Sequence, residues 1–504
     1  MALPLRPMLM PTRFPARKAC LSLTRIDYQY LVMLHISIPS SRQATDSSGK
    51  AYTIFEIYIN SAYHCSSRYS QLLRLHEIIK KIIPKDVPNF PPKYINALAG
   101  DRLLNERREA LQEYLRTVFS IKEVTRHIRV QQFFLDAQRE SASLAARQLS
   151  NEVPVYLLDG SKYIIQCCPG DSTNVLLERL AVIVGLPIEL TRHFGLFIVT
   201  KSEVFPYKII RWLENFECPL LSLFYVAKLG IKAKIILKKK YFDSSIEISL
   251  MKKEQALRIL YSQAVFDVKY FLSRQGCLAF ASRKCRWQLI DEKYFISLMK
   301  NTDAVNNQDE YLRCCQEQPW YGFVFFEQCL CSYPKVNTVA HVAVGNRRLL
   351  ILHEVSQASC GEIKEITFRV TRIRSWRLSI LVFVEQEFFT MLLLNKSFFQ
   401  SIHGSQDLSF EYLFSNNHLE WITLRSSQSV LISRCLQSMI EEIVNSQADA
   451  NASASSKNTM PVHSGVILNE SSFESANSSL KPKRSLHDTF EIGLVSMNNS
   501  EAHD

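Results

Sequence analysis

Ser66-Ser67-Arg68-Tyr69-Ser70 leads into a run in which Leu72, Leu73, Leu75, Ile78, Ile79 and Ile82 recur at helical spacing, and residues 88–94 then read Pro88-Asn89-Phe90-Pro91-Pro92-Lys93-Tyr94. The spacing predicts an amphipathic helix. Pro84 ends it, because a proline brings no N–H and crowds the preceding turn. The proline-rich run is expected as a stiff, extended loop. Upstream, residues 34–39 and 52–59 alternate apolar and polar side chains around a Ser/Gly-rich loop at 47–49, which predicts hairpin strands, with a third strand at 62–65. Downstream, Leu111, Tyr114, Leu115 and Val118 set a second helix over 105–119, and a short helix closes at Phe133, Phe134 and Leu135.

Basic residues stand at Arg68, Lys93 and Arg107 along this order of elements. A planar guanidinium meets phosphate oxygens in bidentate fashion, and an ammonium serves a second phosphate as a point charge. Taken singly, each fits an ordinary solvated surface. Together they suit one small anionic headgroup. The order of strands, helix, proline loop and helices, with these basic residues, resembles a PX domain over residues 33–140. The resemblance implies binding of phosphatidylinositol 3-phosphate. It gives Arg68 the 3-phosphate, Tyr69 the inositol ring face, Lys93 the 1-phosphate and Arg107 the ring hydroxyls. Arg107 is chosen over Arg108 because it completes Arg-x-x-x-Leu-x-x-Tyr with Leu111 and Tyr114.

A second reading begins near residue 150. Residues 153–158 and 163–167 form a hairpin about Asp159-Gly160, followed by a helix that Asp171, Ser172 or Thr173 caps and Gly185 ends. Strands at 194–200, 220–227 and 233–238 complete a ubiquitin-like lobe over 150–238. Residues 239–318 have helical character, led by 254–266 and continued at 294–299. Strands return at 321–331, 339–344, 349–353, 366–378, 408–413 and 421–424. A final helix, capped by Ser426 or Ser427, carries Val430, Leu431, Cys435, Leu436, Met439, Ile440, Ile443 and Val444 on one broad apolar face.

Ubiquitin-like, helical (239–318) and phosphotyrosine-binding-like (319–446) lobes in sequence resemble a FERM domain. The fold class is therefore multidomain α+β. PX followed by FERM resembles the PX–FERM sorting nexins, which are non-catalytic endosomal adaptors. The resemblance implies that Asn-Pro-x-Tyr or Asn-x-x-Tyr tails of receptors and integrins add to a sheet edge beside the last helix. Trp376, Ile440 and Val444 are expected to line that groove; the alternative makes all three lobe core. The family also reaches the retriever complex through an acidic C-terminal peptide. This chain ends Ser500-Glu501-Ala502-His503-Asp504, so that partner is withheld.

Composition bounds the rest. The chain has 504 residues, 47% of them hydrophobic, which suits several folded domains. Its richest apolar run, 378–384, is far shorter than a spanning helix and stops at Glu385. Thirteen cysteines, two pairs of them adjacent, suit reduced thiols in the cytoplasm. Cys314, Cys315, Cys329 and Cys331 lack the usual ligand gaps for zinc, so no metal or cofactor is expected. No phosphate loop, His-Glu-x-x-His or Gly-x-Ser-x-Gly motif occurs, which weighs against a lipid-metabolising enzyme. A net charge of +12 keeps nucleic acid in view, yet the cluster 232–240 has few interleaved aromatics and better suits a solvated or membrane-facing surface. Residues 1–32, proline-broken and basic, are read as a disordered extension, with a transit peptide as the alternative. Residues 447–504 are read as a disordered tail. The apolar run inside 385–404 is left as an added strand or an insert.

Overall fold

The computed structural model describes residues 34–46, 48–92, 101–142, 147, 149–202, 205–269, 308–318, 320–354, 363–380, 406–415 and 417–457. Lys93, the segment 385–404, the pattern at 294–299 and residues 1–32 lie outside them. The described residues up to 449 make one compact unit; a second begins at Ala450, of which only the helical residues to Lys457 are described. No helix among the described residues is long and apolar enough to cross a membrane.

The PX domain is an antiparallel sheet of β1 (Ile36–Thr45), β2 (Ala51–Ile59) and β3 (Ala62–Arg68), in that order, packed against four helices. These are α1 (Tyr69–Ile82), α2 (Asp101–Phe119), α3 (Lys122–Arg126) and α4 (Ile128–Ser141). Ile36, Ile57, Leu72, Leu75, Leu111, Leu115 and Phe134 form its core.

The ubiquitin-like lobe has β4 (Glu152–Tyr156), β5 (Lys162–Gln166), α5 (Thr173–Val184), β6 (Phe194–Thr200), β7 (Lys208–Trp212), α6 (Pro219–Lys228) and β8 (Ala233–Lys239). Its sheet runs β5-β4-β8-β6-β7, with β4 parallel to β8. Gly160 takes φ +90° in the hairpin turn, which an L side chain resists. Ser172 is the residue that caps α5, accepting from the Val175 N–H, and Gly185 ends it in the left-handed region. One expectation fails here. Residues 220–227 are helix α6, not a strand. The run is too uniformly apolar for periodicity to decide, and Pro219 at the first helical turn was the usable cue.

The helical lobe is described through α7 (Ser244–Met251), α8 (Glu254–Asp267) and α9 (Gln308–Gln316). The third lobe holds β9 (Val324–Phe325), β10 (Cys329–Cys331), β11 (Thr338–Gly345), β12 (Arg348–Glu354), β13 (Ile363–Arg369), β14 (Ile373–Ile380), β15 (Gln406–Leu413) and β16 (Leu419–Ser426). The long helix α10 (Ser429–Lys457) follows. Strand order is β13-β12-β11-β10-β16-β15-β14, with β9 against β11.

Three expectations are corrected in this lobe. Residues 321–331 make two short strands. Residues 366–378 are two strands at opposite ends of the sheet, divided by a 3-10 turn at Val370–Arg372. Val370 and Ile373 are both buried across the corner, a three-residue step that shifts the alternation with no Gly or Pro to mark it. Helix α10 also continues past residue 446 to Lys457, where alanine at 448, 450, 452 and 454 favours helix over coil.

A buried junction joins the PX domain to the ubiquitin-like lobe. Phe216 inserts into the PX core and meets the rings of His64 and Phe134 edge-on and tilted, respectively. Gln138 accepts from the Cys218 N–H at 2.8 Å. The Arg211 guanidinium pairs with Glu217. Burial, then the nearby Arg211 charge, pushes the His64 pKa down to about 3, so its ring is neutral at physiological pH. Asn60 of the PX domain and Arg434 of α10 both bond Glu214, and Arg126 of α3 pairs with Glu441 of α10 at 2.9 Å. The PX domain is thereby held to the helix that borders the second candidate site.

Candidate functional sites

The first site forms where β3 passes directly into α1. Arg68 is the last strand residue and the N-cap, with extended backbone, and the Gln71 side chain accepts its N–H at 2.7 Å. That bond satisfies a donor at the helix start and fixes the direction in which Arg68 leaves the sheet. Its guanidinium carbon lies 3.4 Å from the ring centroid of Tyr52 on β2.

Tyr69 donates its hydroxyl to the Pro91 carbonyl at 2.7 Å, and its ring lies 5.4 Å from that of Phe90. Phe90 stacks on His76 at 5.1 Å and meets Tyr114 edge-on at 5.0 Å; the Tyr114 hydroxyl and His76 Nδ1 are 2.8 Å apart. Burial lowers the His76 pKa, which disfavours its charged form, and the ring adds an aromatic wall to the cluster. This cluster holds the proline loop against α1 and α2.

Arg107 reaches the same place from α2, its guanidinium 5.6 Å from the Tyr69 ring centroid. Arg108 is used otherwise: it donates to the Ile38 carbonyl at 2.8 Å and pairs with Glu109. The two adjacent arginines therefore have different surroundings, Arg107 beside Tyr69 and Arg108 against the Ile38 carbonyl. The structure brings Arg68, Tyr69 and Arg107 together; Lys93 is outside the described residues. Tyr52, Gln71 and His76 were missed by the sequence reading. Hairpin register was the available signal for Tyr52, since Ile54 pairs with Arg68 and Tyr52 is two residues away on the same face.

The second site is the edge formed by β14, which pairs with β15 alone among the described residues. Trp376 and Leu378 point inward and are half-buried, whereas Ser375, Arg377 and Ser379 are exposed. The Trp376 indole N–H donates to Ser433 Oγ of α10 at 3.0 Å. Ile440 is buried in the lobe core, and Val444 is partly buried against it. They share the helix face on which Ser433 lies, about 10 Å and about 16 Å further along the axis. Trp376 thus meets α10 near its start, with Ile440 and Val444 farther down the same wall.

The cysteines considered for a metal are separate in character. Cys315, Cys329 and Cys331 are buried, and burial pushes the Cys329 and Cys331 thiols up to about 12 and about 11. Such thiols are protonated and act as small apolar residues.

A PX sheet with its proline loop, followed by three lobes ending in a phosphotyrosine-binding-like sheet and helix, defines a PX–FERM protein. Residues 56–137 match the PX domain family, residues 151–242 the F1 lobe of the sorting nexin 17/27/31 FERM domain, and residues 322–444 the sorting nexin 17 FERM C-terminal domain. The chain is 31% identical over 417 residues to sorting nexin-17 of Homo sapiens, covering 82% of each. It is 30% identical over 413 residues to sorting nexin-17 of Rattus norvegicus, again covering 82% of each. Sorting nexin-31 of Mus musculus is 26% identical over 409 residues, which are 81% of this chain and 86% of that one. The chain belongs to the PX–FERM sorting nexins.

Proposed function

We propose that this chain is an endosomal cargo adaptor, peripheral on the cytoplasmic face of early endosomes, which promotes recycling of receptors to the cell surface. Its PX site takes phosphatidylinositol 3-phosphate. Arg68 and Arg107 supply guanidinium donors to the headgroup and Tyr69 supplies a ring face, with Lys93 as a further cation. The β14 edge takes Asn-Pro-x-Tyr or Asn-x-x-Tyr tails: backbone hydrogen bonds extend the sheet, and the half-buried Trp376, with Val444 farther along α10, favours apolar and aromatic side chains, while Ile440 backs them from within the core.

The observation that carries this reading is the convergence of Arg68, Tyr69 and Arg107 about a pinned proline loop, in a domain fixed to the lobe that exposes β14. Each contact is modest by itself. Lipid and tail presented on one membrane act at high effective concentration, so the two combine into firm attachment. Membership of the sorting nexins supports an adaptor rather than an enzyme.

Flotation of the full chain with vesicles containing phosphatidylinositol 3-phosphate, with and without a bilayer-tethered Asn-Pro-x-Tyr tail, tests the proposal. Lipid-dependent flotation that Arg68→Ala abolishes and the tail strengthens is expected. Flotation indifferent to both lipid and tail overturns it.

A further inference from the structure

An extended peptide laid along β14 must alternate as the strand does, one set of side chains toward α10 and the other over the outer face of the sheet. At this edge the outer face is marked by arginine. Residues 369–377 read Arg-Val-Thr-Arg-Ile-Arg-Ser-Trp-Arg, four cations with no acid. Among the described residues, Arg369, Arg372, Arg374 and Arg377 form no salt bridge.

Arg377 is the best placed of the four. It is exposed, it lies opposite Ser409 in the pairing of β14 with β15, and its guanidinium carbon is 4.7 Å from the ring centroid of Trp421. Stacking occupies the face of a guanidinium and not its N–H donors. The carboxylates on that face of β15 are placed elsewhere: Asp407 is held by Arg425 through two bonds of 2.9 and 3.1 Å, and Glu411 lies opposite Ser375.

We propose that Arg377, aided by the arginines beside it, selects sorting tails that carry a carboxylate at the outward-facing positions of the added strand. This rests on the peptide-binding reading of β14 given above. Side chains opposite one another on neighbouring strands stand about 5 Å apart, within reach of a charge-assisted Arg–carboxylate pair. A peptide accounts for the arrangement better than a membrane does. Glu411 shares the face with Arg377 and would meet an anionic bilayer unfavourably, and the Asp407–Arg425 pair adds no net positive charge there, whereas a peptide side chain can meet Arg377 alone.

The test measures binding of the full chain and of Arg377→Glu to three versions of one Asn-Pro-x-Tyr tail. Two carry Asp at alternate positions, in opposite parities, and the third carries Lys in place of Asp. The wild-type chain is expected to bind one Asp parity roughly threefold to fivefold more tightly than the Lys tail per carboxylate engaged, an advantage that salt erodes and Arg377→Glu reverses. Equal wild-type affinity for all three tails overturns this proposal while leaving the groove itself intact. Failure of the wild-type chain to bind any of them removes the groove and this proposal together. If Arg377→Glu lowers attachment to phosphatidylserine vesicles but leaves the tail preference unchanged, the arginines serve a membrane, and the proposal is also overturned.

Discussion

Arg211 Nε lies 2.9 Å from Glu217 Oε2 in the junction between the PX domain and the ubiquitin-like lobe, with the two side chains 4% and 0% exposed. Burial raises the Glu217 pKa and the Arg211 charge opposes that rise, so the carboxylate depends on its partner. Removing one member strands a charge away from water. Arg211→Met is therefore expected to cost about 3–5 kcal/mol, and Arg211→Met combined with Glu217→Leu to recover most of it. Denaturant unfolding of the three chains gives the answer. A double variant no more stable than the single one would contradict the account.

Arg107 and Arg108 should part company when each is truncated. Arg107→Ala is expected to lower binding to phosphatidylinositol 3-phosphate vesicles at least tenfold. Arg108→Ala should leave the lipid affinity nearly untouched and cost about 1–2 kcal/mol, because the Ile38 carbonyl loses its donor. Vesicle sedimentation and melting curves measured on the same preparations separate the two.

Trp376→Ala is expected to weaken tail binding tenfold or more and to spare vesicle binding, the reverse of Arg68→Ala. Trp376→Phe keeps an aromatic ring and removes the N–H donated to Ser433, so it should cost about 1 kcal/mol of stability with a smaller loss of tail affinity. Titration calorimetry with a soluble tail reports the first effect, unfolding the second.

Glu442 carries a pH dependence of known sign. Burial raises its pKa to about 7, against the pull of the Phe242 and Asp243 N–H groups that donate to it. A carboxyl that binds its proton more tightly in the folded chain than in the unfolded one makes stability fall as pH rises from its unfolded value toward 7. Partial exposure limits the effect to on the order of 1 kcal/mol. Glu442→Gln should flatten that part of the stability profile, and an unchanged slope between pH 5 and pH 8 would rule the assignment out.

Much of the PX domain was legible because its cues are local. Helical spacing from Leu72 to Ile82, the stop at Pro84 and the Leu111–Tyr114 spacing of the second helix are each decided within a few residues. The spacing of Arg107 to Leu111 and Tyr114 is likewise local. Contacts set by pairing between distant residues were hidden. Tyr52 beneath Arg68 follows from hairpin register, and Asn60, Glu214 and Arg434 meet only once three domains have packed.

The third lobe shows where pattern reading fails. Within residues 366–378 the alternation of Ile366, Phe368 and Val370 slips to Ile373, three residues on, where the turn at 370–372 changes the strand's direction without a glycine or proline. Nothing local says that the two halves end up on opposite edges. Leu220 and its neighbours failed differently: a run in which Ser222 is the only polar residue from 219 to 227 has almost no period to read. The residues expected to line a groove were visible as a stripe, but that Ile440 lies within the core and that Trp376 meets α10 at Ser433 depend on how the helix lies across the sheet.

The junction built on Phe216, Gln138 and Arg211 has one more consequence. The PX domain and the β14 edge are locked into one body, so on the proposed function the height of that edge above a bilayer is set by the protein and not by a tether. On the proposed function, a receptor tail must span that height before its motif can engage. The length of chain between bilayer and motif then becomes a selection rule in its own right, and the adaptor acts as a ruler as well as a reader.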